Sequence, residues 1–122
     1  MNLKSQLENK LQEVNQKLSR VQEAYTSCSQ LIESYFIKEL IDNEINRLFA
    51  LKKIELEKIK DELNKLSSYY KAVENYKTII MPSEKNIMQV LVFLNELGDQ
   101  FGFLVAELKT FSLYLENRLK EI

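Results

Sequence analysis

Histidine is absent from this 122-residue chain, and there are only one cysteine, one proline and two glycines. Without histidine and with a lone cysteine, neither a Cys/His zinc site nor a Cys–His catalytic pair can be assembled. One cysteine cannot staple a secreted fold, which points to a reducing, cytoplasmic setting. So few turn formers exclude a β-sandwich or barrel, whose short strands need them at every corner. An excess of charge of one sign is missing too. Seventeen basic residues face eighteen acidic ones, a net charge of -1 that attracts neither nucleic acid nor anionic membrane. The first residues, Met1-Asn2-Leu3-Lys4-Ser5-Gln6-Leu7-Glu8, mix charge with leucine and hold no apolar leader core.

Long uncharged runs are also lacking. The one membrane candidate, residues 87–108, is interrupted by Glu96, Asp99 and Glu107. No stretch approaches the roughly 20 apolar residues that a span requires. It reads as a buried helix of a protein without a membrane span.

What remains is helical material. Apolar residues make up 45% of the chain and charged ones 29%, enough to bury a core in one domain. No glycine or proline occurs before Pro82, and leucine, glutamate, lysine and glutamine dominate, all strong helix formers. The expected fold is therefore all-α: long amphipathic helices forming a coiled coil or antiparallel bundle of two or three helices. Ser5 and Glu8 stand at the spacing of a capping box. From there Leu7, Leu11, Val14, Leu18, Val21, Tyr25, Cys28, Ile32 and Tyr35 alternate at steps of four and three. This is a coiled-coil seam, so residues 5–35 read as an arm. Two apolar positions in seven is a narrow stripe, suited to one partner helix. Flanking charges and the d positions Val14, Val21, Cys28 and Tyr35 do not specify a parallel homodimer.

After Tyr35 the pattern widens. Phe36, Ile37, Leu40, Ile41, Ile45, Leu48, Phe49, Leu51, Ile54 and Leu56 leave only a polar strip, so this helix is expected to be covered from several sides. The register resumes as Ile45, Phe49, Leu56, Ile59, Leu63, Leu66, Tyr70, Val73 and Ile80, with Lys52 and Lys77 at seam positions. Asp42-Asn43 is the best turn candidate. A turn there would cut the chain into three helices of similar length, as an up-down-up bundle needs. A corner without glycine is unusual, however, which leans slightly toward a second segment, 36–80, continuous with the arm or kinked from it.

Met81-Pro82-Ser83-Glu84 is the clear break, with proline disfavouring helix at Met81 and Ser83 placed to cap the next helix. That last helix, 84–122, carries Ile87, Leu91, Leu94, Gly98, Phe101, Val105, Leu108, Leu115, Leu119 and Ile122 on one seam. Val90, Leu97, Leu104 and Phe111 widen it into a core helix that folds back antiparallel along the second segment. Gly98 and Gly102 suggest a close approach inside the fold. Cys28 reads as a small buried hydrophobe. Between Lys85 and Lys109 there is no basic residue. Such a stretch is a core helix first, and a receiver of a basic amphipathic segment second.

Residues 47–65 interleave both signs, with Lys53–Glu57, Lys58–Glu62 and Asp61–Lys65 four apart, as on a solvated helix face. No phosphate loop or nucleophile motif occurs. No catalytic, cofactor or metal residue is therefore expected, and no nucleic acid or small-molecule substrate.

The segment Leu40-Ile41-Asp42-Asn43-Glu44-Ile45-Asn46-Arg47-Leu48, running on to Lys52, Lys53 and Leu56, resembles small helical flagellar export chaperones. The likeness covers about a fifth of the chain. It implies a helical hairpin that shields the helical ends of a cargo.

The expected function is a non-enzymatic protein–protein interaction module, self- or hetero-assembling through the seam Leu7–Tyr35. The alternatives are a small chaperone or inhibitor masking a larger client, and a structural subunit of a coiled-coil complex. Leu11, Leu18, Val21 and Ile32 are the expected contacts if the second segment runs straight on. A charge at Leu18 should then abolish assembly and leave the core folded.

Overall fold

The computed structural model describes residues 2–37 and 43–121. Its helices are α1 (Leu3–Ile37), α2 (Asn43–Asn75), α3 (Lys77–Ile80) and α4 (Glu84–Lys120). Each long helix spans about 50–55 Å at 1.5 Å per residue. Tyr35 stacks on Phe49 at one end of the α1–α2 pair, and at the other Leu11 lies near Tyr70, so these helices run antiparallel. Val14 lies beside Gly98 and Cys28 reaches Leu108, so α1 and α4 run parallel. The result is an up-down-up, three-helix bundle, with α3 as a single turn at the second reversal.

The sequence cues leaned toward a continuous or kinked 5–80 segment, whereas α1 and α2 lie side by side. Both carry a full apolar stripe, and folding back buries the two stripes together. Of the turn candidate, Asp42 lies outside the described residues and Asn43 opens α2. The residues next to the reversal tie the two helices. Tyr35 is buried, its ring stacks on Phe49 with centroids 3.9 Å apart, and its hydroxyl donates to the Asn46 side chain.

The first cap also differs from expectation. The Ser5 amide donates to the Asn2 side-chain oxygen at 2.8 Å, so Asn2 caps α1 and Ser5 lies inside it. Asparagine is as good a cap as serine, and starting earlier brings Leu3 into the helix. At α4 the cap is Ser83, whose hydroxyl accepts from the Asn86 amide at 3.3 Å. Met81 keeps helical angles (φ -58°, ψ -31°) despite preceding Pro82, and its amide donates to the Lys77 carbonyl. The expected break lies between Ile80 and Glu84, and a second one precedes it where α2 ends at Asn75.

The core is one cluster running the length of the bundle, including Leu7, Val21, Phe49, Leu63, Leu94, Phe101, Leu108 and Leu115. Helix α4 is antiparallel to α2 as expected, but packs mainly against α1. Its apolar sector through Ile87, Leu94, Leu97, Phe101, Leu104, Leu108, Phe111 and Leu115 is wide enough to contact both neighbours. Lys52, at a seam position of α2, keeps its ammonium 4.7 Å from the Tyr114 ring centre and 5.4 Å from that of Phe111, and bridges to Glu55. Its stem covers apolar surface and its charge rests on aromatic faces. Leu51 and Ile54 are half exposed, so α2 is not covered on every side as its composition suggested.

Candidate interaction surface

The residues expected to contact a partner are inside the molecule. Leu11, Leu18, Val21 and Ile32 are at most 6% exposed and belong to the intramolecular core. The narrow stripe of α1 sits over the junction of two helices, so both α4 and α2 cover it. Its seam is closed by the chain itself.

Cys28 lies on this seam, with its thiol donating to the Leu108 carbonyl at 3.3 Å. Burial, with Glu116 adding to it, pushes the thiol pKa up to about 11. A neutral, enclosed thiol of this kind is a poor nucleophile. Burial and then the neighbouring Glu74 likewise raise the Tyr70 phenol. Among the described residues no group of three acidic or cysteine side chains is arranged to hold a metal ion. No described helix is long and apolar enough to cross a membrane.

The grooves between helices are open and differ in charge. Between α1 and α4 lies a groove of about 440 Å³, where Arg20 and Lys109 offset Glu23 and Glu116. Between α2 and α4 the groove is about 310 Å³, and one lysine, Lys58, stands among Glu55, Glu62 and Glu107.

The surface feature that seam-reading missed is the outward face of α4. Met88, Val92, Phe103 and Leu113 are 59%, 59%, 74% and 59% exposed. Met88, Val92 and Leu113 lie along a second helical row, 88-92-95-99-102-106-110-113, on the side away from Leu94, Phe101 and Leu108. The row also holds Asn95, Asp99 and Thr110, and Phe103 stands beside it. Gly102 and Ala106 are on the same row and exposed, and apart from its own turn of helix nothing lies within 4 Å of where a Gly102 Cβ would stand. The three-four spacing of this second row was present in the sequence. The stronger inner row, with its larger side chains, drew the whole helix into the core assignment.

The Gly98–Gly102 pair divides accordingly. At Gly98 a Cβ would lie 3.4 Å from the Lys17 ammonium and 3.6 Å from a Val14 methyl, the internal approach expected of the pair. Gly102 points the other way.

No protein-family model matches the chain, and neither a curated protein nor a solved structure does.

Proposed function

We propose that this chain is a non-enzymatic, all-helical protein–protein interaction module of the cytoplasm, and that it binds through the outside of its bundle. The observation that carries the reading is the exposure of Met88, Val92, Phe103 and Leu113 on the outward side of α4, whose inner apolar sector is already covered. Large apolar side chains concentrated on an exposed face mark interaction surfaces more often than they mark chance. With the seam of α1 closed internally, self-assembly through Leu7–Tyr35 gives way to binding through α4. A chaperone or inhibitor that masks a larger client would use the same face.

The test is site-specific cross-linking in the organism that makes the protein. A photoreactive side chain in place of Phe103 should yield a discrete adduct with another protein. The same group at Gln16, exposed on α1, should yield none. Absence of an adduct at 103, or equal adducts at both positions, overturns the reading. Light scattering should meanwhile give a mass near 14.4 kDa for the free chain, since its coiled-coil seam is already occupied.

A further inference from the structure

The outward row of α4 also carries a charge pattern, and this narrows what can lie on it. Glu96, Asp99 and Glu107 are exposed along or beside the row, and there is no basic residue from 86 to 108. None of the three carboxylates has an ion-pair partner among the described residues, whereas Glu13, Glu55 and Glu121 do. In the adjoining groove toward α2, Glu55 is bridged to Lys52 and Glu62 is matched by Lys58, so Glu107 supplies the excess charge there. On the other flank the α1–α4 groove is balanced. From 86 to 108, α4 therefore carries three negative charges and no positive one.

We infer that the outward face of α4 receives a basic amphipathic helix from another protein, laid along residues 88–113. Its apolar stripe covers Val92, Phe103 and Leu113, and its lysines or arginines stand over Glu96, Asp99 and Glu107. Helix-on-face recognition of this kind reads apolar anchors that share one face, and Val92, Phe103 and Leu113 recur every ten or eleven residues, about three helical turns. The row is about 38 Å long, so the matching segment is about 20–25 residues. Gly102 and Ala106 leave a shallow place where the incoming backbone can come close, with Phe103 beside it as the large anchor.

A second copy of the chain is the wrong occupant on charge. In a parallel self-pairing each carboxylate meets its own duplicate. In an antiparallel self-pairing about Gly102, Glu96 and Glu107 stand six residues before and five residues after the centre, and so oppose each other. Like charges juxtaposed across an interface disfavour it.

This inference rests on the interaction-module reading, and the experiment separates the two. The full chain is titrated by fluorescence anisotropy against two labelled helical peptides of about 22 residues, matched to the row in length. Both carry the same leucine stripe, one flanked by lysines and the other by glutamates. At low salt the lysine peptide should bind at least about tenfold more tightly, and the gap should shrink as salt screens it. A folded triple variant, Glu96→Lys with Asp99→Lys and Glu107→Lys, should invert the preference. Reversal of Glu8 and Glu33 on α1, away from this face, should leave it unchanged, and Phe103→Ala should weaken both peptides. Equal binding of the two peptides, or equal loss in the α1 control, overturns the inference. So does a dimer of the free chain that disappears with Phe103→Ala. If the peptides fail while the cross-link at 103 still captures a partner, only the basic-helix assignment falls.

Discussion

The two faces of α4 each carry large apolar side chains and meet opposite surroundings. Phe101 and Phe103 are two residues apart, one fully buried and the other three-quarters exposed. Gly98 and Gly102 are four apart, one against Val14 and Lys17 and the other against open space. The inner face can be explained by the chain alone, because each of its apolar groups meets α1 or α2. The outer face cannot, since an exposed phenylalanine and an exposed mid-helix glycine both work against, or add nothing to, the stability of an isolated chain. The contrast teaches that burial, and not composition, separates what holds this fold from what the fold leaves uncovered.

The sharpest way to break this comparison is to place a charge on each side of it. Leu18 is 5% exposed in the intramolecular core. Leu18→Asp buries a carboxylate without a partner and removes a packed side chain, which should cost more than about 4 kcal/mol and unfold much of the population. Val92→Asp, on the outer row, should stay within about 0.5 kcal/mol of the parent. Circular dichroism with urea melts reads both. If Leu18→Asp kept the helical signal and lost only assembly, the seam would be intermolecular and the bundle as described would be wrong.

Truncating the two phenylalanines is the next largest contrast. Phe101→Ala opens a cavity among Leu97, Leu104 and their neighbours across the core, and should cost about 3–5 kcal/mol. Phe103→Ala should change the unfolding midpoint by less than about 0.5 kcal/mol equivalent. Equal losses would mean that Phe103 is covered within the chain.

Much of the architecture was legible in the sequence. The inner row of α4, the α1 seam and the Ser83 cap are readable from spacing and side-chain chemistry. Lys52 could be seen at a core register position, although its placement over Phe111 and Tyr114 could not. The reversal between α1 and α2 was hidden because no glycine or proline marks it, so two long helices and one were nearly equivalent as patterns. That ambiguity propagated to the site. With the seam read as open, Leu11, Leu18, Val21 and Ile32 became the contacts, and the weaker row through Val92, with Phe103 beside it, was absorbed into the core. A periodic pattern tells which residues need cover. It does not tell whether the cover belongs to the same chain.

Alkaline titration probes the inner face through Cys28. Below pH 9, the ordinary thiol value, this group is neutral in folded and unfolded chains alike and leaves stability unchanged. Between pH 9 and about 11 the unfolded chain ionises while the folded one holds its proton, so stability falls as pH rises. At 1.36 kcal/mol per pH unit the loss should reach about 2 kcal/mol near pH 11. Cys28→Ala should flatten that part of the pH profile, and Tyr70→Phe should remove a further alkaline loss from the raised phenol. Thiol labelling at pH 8 should proceed only as fast as the chain opens. Prompt labelling would place Cys28 at the surface and contradict its contact with Leu108.

The smallest effect separates the glycines. Alanine at Gly102 would meet nothing within 4 Å apart from its own turn of helix and would gain helix propensity, so Gly102→Ala should stabilise the free chain by about 0.5–1 kcal/mol. At Gly98 an added methyl meets Val14 at an ordinary contact distance and the flexible end of Lys17, so Gly98→Ala should also be tolerated. The difference appears with a larger side chain. Gly98→Leu should force α1 away and cost about 1–3 kcal/mol, while Gly102→Leu should be near neutral. A glycine that can be replaced with a gain in stability is not retained for the fold. If Gly102→Leu left the fold intact but weakened the basic peptide as much as Phe103→Ala does, close backbone approach at Gly102 would be the reason it is there. If it destabilised the free chain as Gly98→Leu does, the outer face would be packed from within, and the distinction between the two faces of α4 would fail.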